Sequence, residues 1–174
     1  MMLNTLSPRL VFCGPVLLAV AAMLFARVYL QGYLGLEACP LCMTQRVFVV
    51  LWGMIALVAA LHNPHSPGRR IYGALCTLAA TLGAAVAGRH VWLQHLPEDQ
   101  VPACGPSLEY MLENFPFAET LRLVMMGDGN CADTVWTLFG LSIPEQTLLV
   151  FCVVIAISLW QTLREDPREN QDPD

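Results

Sequence analysis

Apolar residues gather in four blocks along this 174-residue chain, with polar stretches between them. The first runs from Leu10 to Ala26, meets its first charge at Arg27 and can continue to Leu34. The second, Val47–Leu61, lengthens to a full span if its helix starts near Cys42, while Ile71–Gly88 and Gln146–Leu163 carry no charge at all. A bilayer core needs roughly 20 mostly apolar residues, which each block reaches with short polar extensions. Backbone in lipid must satisfy its own hydrogen bonds, so the blocks are expected as helices. The pattern predicts an all-α fold, an integral membrane four-helix bundle in one domain spanning residues 1–174. Its spans fall at about 10–30, 42–62, 71–90 and 145–163, its outer loops at about 31–41 and 91–144, and a disordered tail at 164–174. Only Arg9 precedes the first block, and its apolar stretch exceeds a signal-peptide core of about 7–15 residues, so it is expected as an uncleaved first helix.

Composition agrees with a membrane chain: 56% of residues are hydrophobic and 13% charged. There is no lysine, and all nine basic residues are arginine. Arg9, Arg69, Arg70, Arg164 and Arg168 lie in the two tails and the turn after the second block. The long stretch before the fourth block carries Arg89 and Arg122 among the acids Glu98, Asp99, Glu109, Glu113, Glu119, Asp128 and Asp133. The positive-inside rule therefore predicts both termini in the cytoplasm and the long loop outside. In a bacterium that means the inner membrane, with the loop in the periplasm, where disulfides persist. A net charge of -5 argues against nucleic acid as a partner.

The seven cysteines divide by position. Cys13, Cys76 and Cys152 sit within apolar blocks and read as small buried hydrophobes. Cys39, Cys42, Cys104 and Cys131 fall on the outer, oxidising side. Cys39-Pro40-Leu41-Cys42 is a Cys-x-x-Cys dithiol whose ring is too small to constrain much chain, which suits redox exchange. Four such cysteines could also bind zinc, but separations of 62 and 27 residues fit no compact zinc module, and no metal is expected. Cys104 and Cys131 taken alone would suit a structural disulfide, worth about 3–4 kcal/mol in the chain-entropy model. Four cysteines allow three pairings, and sequence does not choose among them.

If a helix starts at Leu41 or Cys42, the Cys42 thiol is expected to meet its unsatisfied N–H groups, which favours the nucleophilic thiolate. Pro40 suits the first helical turn. Arg46, four residues on, shares a helix face with Cys42, and an arginine so near a span is functional by default. Arg27 reads as a snorkelling side chain. His90 and Trp92 close the third block and could line a pocket beside Arg46. In the loop, Cys104 lies in the Pro- and Gly-flanked Val101–Pro106, open to a partner, and Cys131 follows a Gly127–Asn130 turn that could let it swing. Phe117, Leu121, Val124 and Met125 form one apolar face of a short helix, either on the bilayer or on the bundle top.

Together these features resemble the disulfide bond formation protein B family. The resemblance covers nearly the whole chain: four spans, Cys-x-x-Cys opening the second, Arg46 after it, paired loop cysteines, and Arg89-His90-Val91-Trp92-Leu93-Gln94. It also covers Gly129–Asp133 with Trp136 and Phe139-Gly140-Leu141. It implies a protein-dithiol:quinone oxidoreductase that re-oxidises a DsbA-type periplasmic thiol oxidase. Cys104–Cys131 would be the disulfide presented to that partner, with Cys104 forming the mixed disulfide, and Cys131 would pass electrons to Cys39–Cys42. Cys42 would face a quinone, ubiquinone or menaquinone, with Arg46 polarising it and His90 as a pocket residue. Two other readings use some of the same features. A vitamin K epoxide reductase-like enzyme would be expected to carry its membrane-edge pair late in the bundle. A non-enzymatic four-span adaptor with a stapled loop would leave Cys39, Cys42 and Arg46 without purpose.

Overall fold

The computed structural model describes residues 7–106 and 108–164, apart from the side chains of Ser66 and Glu98. The predicted tail lies outside the described residues from position 165 on, as does Arg168. Four long apolar helices dominate the described chain, and the molecule is an all-α membrane bundle. The first span is α1 (Pro8–Leu24), extended without a break by a π-helical segment (Phe25–Tyr33). The others are α2 (Pro40–His62), α3 (Ser66–Gln94) and α7 (Ile143–Leu163). Each long helix carries a proline in its first turn, where the missing N–H costs no intrahelical bond.

The helices pack in a row: α1 on α2, α2 on α3, and α3 on α7, whereas α1 barely meets α7. The α3–α7 seam is close because α3 is lined with small residues. Ala79, Ala80 and Ala87 are buried there with Val154 and Phe151, and a Cβ on Gly83 would collide with the Phe151 ring. Small residues let helix backbones approach in lipid, where dispersion contacts replace the hydrophobic effect as the main attraction. Cys76 is buried and its thiol points at the Trp52 carbonyl. Cys152, expected to be buried, instead faces outward from α7, because its side of the helix has no neighbouring helix and lipid can cover it.

The long loop between α3 and α7 is more ordered than its sequence suggests. It contains a 3-10 turn (Glu98–Gln100), α4 (Leu108–Asn114), α5 (Phe117–Met126), α6 (Gly129–Ala132) and a two-stranded hairpin, β1 (Thr137–Leu138) with β2 (Leu141–Ser142). The apolar face predicted for α5 is divided. Val124 is buried against Leu41, Leu93, Met111 and Cys131, while Phe117, Leu121 and Met125 are exposed. Arg89 fastens α5 to the bundle by donating to the carbonyls of Met125 (3.2 Å) and Met126 (3.0 Å) at its C-terminal end. Cationic donors suit that end of a helix.

Candidate functional site

The N-terminus of α2 is where the loop and the bundle meet. Cys39 is its N-cap, and the Cys42 N–H donates to Cys39 Sγ at 3.5 Å. A second N–H of this turn, on Leu41, is hydrogen-bonded to the sulfur of Cys131. The orphan donors of the helix therefore go to Cys39 and Cys131, not to Cys42 as expected from sequence. An N-cap side chain reaches N2 or N3 by geometry, and Cys42 is itself at N3.

Cys131 is fully buried rather than free to swing. Asp128 caps α6, its Oδ1 accepting from the Cys131 N–H at 3.2 Å. The preceding turn depends on Gly127, whose φ of 74° falls where only glycine is at ease and whose missing Cβ leaves room for Leu93. Cys131 Sγ, Cys39 Sγ and a His90 ring nitrogen lie within 4.8 Å of one another. A hydrogen bond with the Cys39 side chain, and then burial, push the Cys131 thiol well above its usual range. A further side-chain hydrogen bond joins Cys39 to Cys42. Cys104 is exposed in irregular chain. Its strand lies beside α6, where Gly129 N–H donates to the Ala103 carbonyl (3.4 Å) and a Cβ on Gly129 would sit 3.0 Å from Cys104 Sγ. None of the seven cysteines is bridged.

His90 stands at the centre of the sulfurs. Its Nε2 is 3.8 Å from Cys39 Sγ and its Nδ1 is 4.0 Å from Cys42 Sγ. Gln45 Nε2 donates to Nδ1 (3.0 Å), which leaves Nε2–H to donate to the Cys131 carbonyl, also at 3.0 Å. Both ring nitrogens are thus engaged, and the Cys39–His90–Cys131 cluster places two sulfurs and an imidazole in one compact group. Trp92, expected beside His90, is half exposed and carries the Arg89 guanidinium over its ring at 4.1 Å. Residues i and i+2 on a helix face away from each other, so the two could not share a pocket.

Two adjoining cavities flank the dithiol. The larger, about 330 Å³, fills the loose seam between α1 and α7. Its walls are apolar (Met23, Phe25, Leu30, Val49, Trp136, Val150) except for Cys42, Gln45, Arg46, Gln146 and Thr147. The smaller, about 60 Å³, is lined by Cys39, Cys42, Arg46 and His90. Arg46 therefore faces both cavities, with His90 on the sulfur side. Arg46 Nη1 donates to Gln31 Oε1 at 2.8 Å. An apolar cleft of this size with a few convergent polar groups fits a flat, lipid-soluble ring compound.

Sequence reasoning singled out Cys39, Cys42, Cys104, Cys131, Arg46 and His90, and the fold brings Cys39, Cys42, Arg46 and His90 to these two cavities. Cys131 lies against Cys39 and His90 without lining either cavity, and Cys104 stays outside. Sequence reasoning missed Gln45, Asp128 and Gln31. Gln31 is an amide inside the extension of the first apolar block (Leu30-Gln31-Gly32-Tyr33-Leu34), a signal that was available; Gln45, between Thr44 and Arg46, and Asp128, beside Gly127, Gly129 and Asn130, carry none.

The family model described as disulfide bond formation protein DsbB matches residues 8–161. Disulfide bond formation protein B of Saccharophagus degradans is 54% identical over 156 residues, covering 90% of this chain and 91% of that one. Disulfide bond formation protein B 1 of Pseudomonas aeruginosa is 50% identical over 158 residues, with coverage of 91% and 96%. Disulfide bond formation protein B of Stutzerimonas stutzeri is 46% identical over 164 residues, with coverage of 92% and 98%. With its bundle, its clustered thiols and these relatives, the chain belongs to the disulfide bond formation protein B family, disulfide-forming oxidoreductases of the membrane.

Proposed function

We propose that the protein re-oxidises a DsbA-type periplasmic thiol oxidase and passes the electrons through its two cysteine pairs to a membrane quinone. The observation that carries this reading is the contact of Cys131 with Cys39, while Cys42 of the same dithiol opens onto the apolar cavity. The reading places the protein in the bacterial inner membrane with both termini cytoplasmic.

Exposure and proximity support the following sequence of exchanges. A thiolate of the partner attacks exposed Cys104 in a Cys104–Cys131 disulfide, and the S–S bond breaks towards Cys131. The partner's second thiol then closes its own disulfide and releases Cys104, so two electrons and two protons have entered the loop pair. Cys131 attacks Cys39 of a Cys39–Cys42 disulfide, and that bond breaks towards Cys42. Cys104 attacks the Cys131–Cys39 bond, which restores the loop disulfide and leaves Cys39 and Cys42 reduced. A bound quinone supplies a sink for two electrons and two protons. Cys42 and Arg46 would hold it, with His90 completing the wall beside the sulfurs. His90 has one ring nitrogen near each sulfur of the dithiol, and opening of the Gln45 bond would free Nδ1 to take up the Cys42 proton and hand it on.

The test is oxidation of a reduced DsbA-type protein by the purified chain with decyl-ubiquinone as acceptor. Cys39→Ser and Cys42→Ser should abolish it. Turnover that survives in either variant, or a wild type indifferent to quinone, would overturn the reading.

A further inference from the structure

We propose that Gln31 and Arg27 are positioning residues that hold Arg46 at the rim of the larger cavity; this deepens, and rests on, the quinone-linked reading above. The Gln31 Oε1 atom is shared by two cations: Arg46 Nη1 donates to it at 2.8 Å and Arg27 Nη1 at 3.3 Å. A carbonyl oxygen has two lone pairs, so the two guanidinium donors use both. Turning the amide over would aim its NH2 at two positive charges, which fixes the orientation that Arg46 needs. Arg27 thus acts through Gln31, one helical turn away on the same segment. It does not line either cavity, while Arg46 lines both.

The chemistry of the shared acceptor matters. A carboxylate at position 31 would hold Arg46 as well or better, but it would neutralise the charge that an oxidant gaining electrons would use. A neutral amide oxygen holds the guanidinium and leaves its charge in place. Two like charges are tolerated on one acceptor because Arg27 is exposed. The segment that carries Gln31 is itself braced at the cavity. Phe25, Tyr29 and Tyr33 stack at centroid spacings of 5.2 and 5.9 Å, and Trp136 packs against Phe25 (5.7 Å) and Tyr29 (6.2 Å). Phe25 and Trp136 both form cavity wall. A π-helical run is uncommon and recurs at functional sites; here it places a polar bridge against α2 and an aromatic ladder against the hairpin strand's approach.

The experiment uses the full-length protein in detergent or nanodiscs, with decyl-ubiquinone as probe and two readouts. One is KM for the probe against kcat; the other is its Kd, from quenching of tryptophan fluorescence in a Cys42→Ser background that cannot turn over. Gln31→Leu should raise KM and Kd about tenfold, the loss expected for one charge-assisted hydrogen bond. Arg27→Gln should raise both about three- to tenfold, and Arg27→Lys should restore most of the loss. Gln31→Glu keeps both hydrogen bonds and should still weaken the probe, an effect that a purely structural bridge would not produce. Combined with Arg46→Ala, Gln31→Leu should add nothing further, since both act on one interaction. Exchange between Cys104–Cys131 and the partner should stay as in the wild type in Gln31→Leu and in Arg27→Gln.

Unchanged KM and Kd in Gln31→Leu and Arg27→Gln, or losses that add to that of Arg46→Ala, would overturn this inference while leaving the function standing. A wild type that neither binds nor reduces decyl-ubiquinone would overturn the function and the inference with it.

Discussion

Cys104 and Cys131 are proposed to make one disulfide, yet their surroundings are opposite: one is exposed in irregular chain, the other fully buried and hydrogen-bonded to Cys39. The thiolate is the reactive form, and Cys131 is held as a thiol by that bond and by burial. In the reduced protein near neutral pH, iodoacetamide should therefore modify Cys104 more than about tenfold faster than Cys131. Mass spectrometry of timed samples checks this, and equal rates would mean that the burial of Cys131 is not maintained. The asymmetry lets a partner reach one sulfur while the other stays in contact with the inner dithiol. Arg46 is the complementary case, a cation lining both cavities and apart from exposed Cys104. Arg46→Ala should weaken use of decyl-ubiquinone by about 10–100-fold. The same change should alter exchange with the DsbA-type partner by less than about twofold, since Cys104 lies outside both cavities. Comparable losses in both half-reactions would remove Arg46 from the cavity. Spacing made Cys39, Cys42 and Arg46 legible, because four residues on a helix is a local relation. Gln31, His90 and Cys131 reach the same few ångströms from distant parts of the chain, and no local rule joins them.

The four spans could be read from hydropathy alone, because lipid demands long apolar helices whatever their neighbours. Which faces meet is a matter of side-chain size. Gly83 and the alanines of α3 admit α7 closely. Gly83→Ala would push a Cβ into the Phe151 ring and should destabilise the bundle by about 1–3 kcal/mol. Gly14→Ala makes the comparison, since that position is also inside a helix but surrounded by open space, and should leave stability unchanged or raise it by up to about 1 kcal/mol. Thermal unfolding in detergent distinguishes the two, and equal midpoints would contradict the α3–α7 packing. The short elements of the loop were less legible. α4 and α6 have 7 and 4 residues, too few to show a period, and the hairpin strands have two residues each. Such pieces exist because tertiary contacts hold them: Asp128 caps α6, and Arg89 clasps the end of α5. The π-helical segment is also invisible to a 3.6-residue template, since its sequence continues the apolar block without a break.

Across the whole molecule, the proposal depends on both cysteine pairs lying at the outer face. A membrane-impermeant maleimide applied to intact spheroplasts should label reduced Cys104, and should label a cysteine introduced as His65→Cys in an otherwise cysteine-free chain only after permeabilisation. The reverse result would invert the topology and end the case for a periplasmic partner. Arginine placement already points this way, because charge bias acts on loops through their own composition and needs no fold. In the same way the sequence alone determined the membrane class, the four helices, the place of the dithiol at a helix start and the family. Each of these follows from interactions between near neighbours or between a segment and its solvent. Tertiary structure decided that Cys131, not Cys104, meets Cys39, that His90 serves both sulfurs of the inner pair, and that Arg46 is held by Gln31 at a cleft between α1 and α7. Those are contacts between elements far apart in the chain, set by helix packing and by the shape of the loop that caps it.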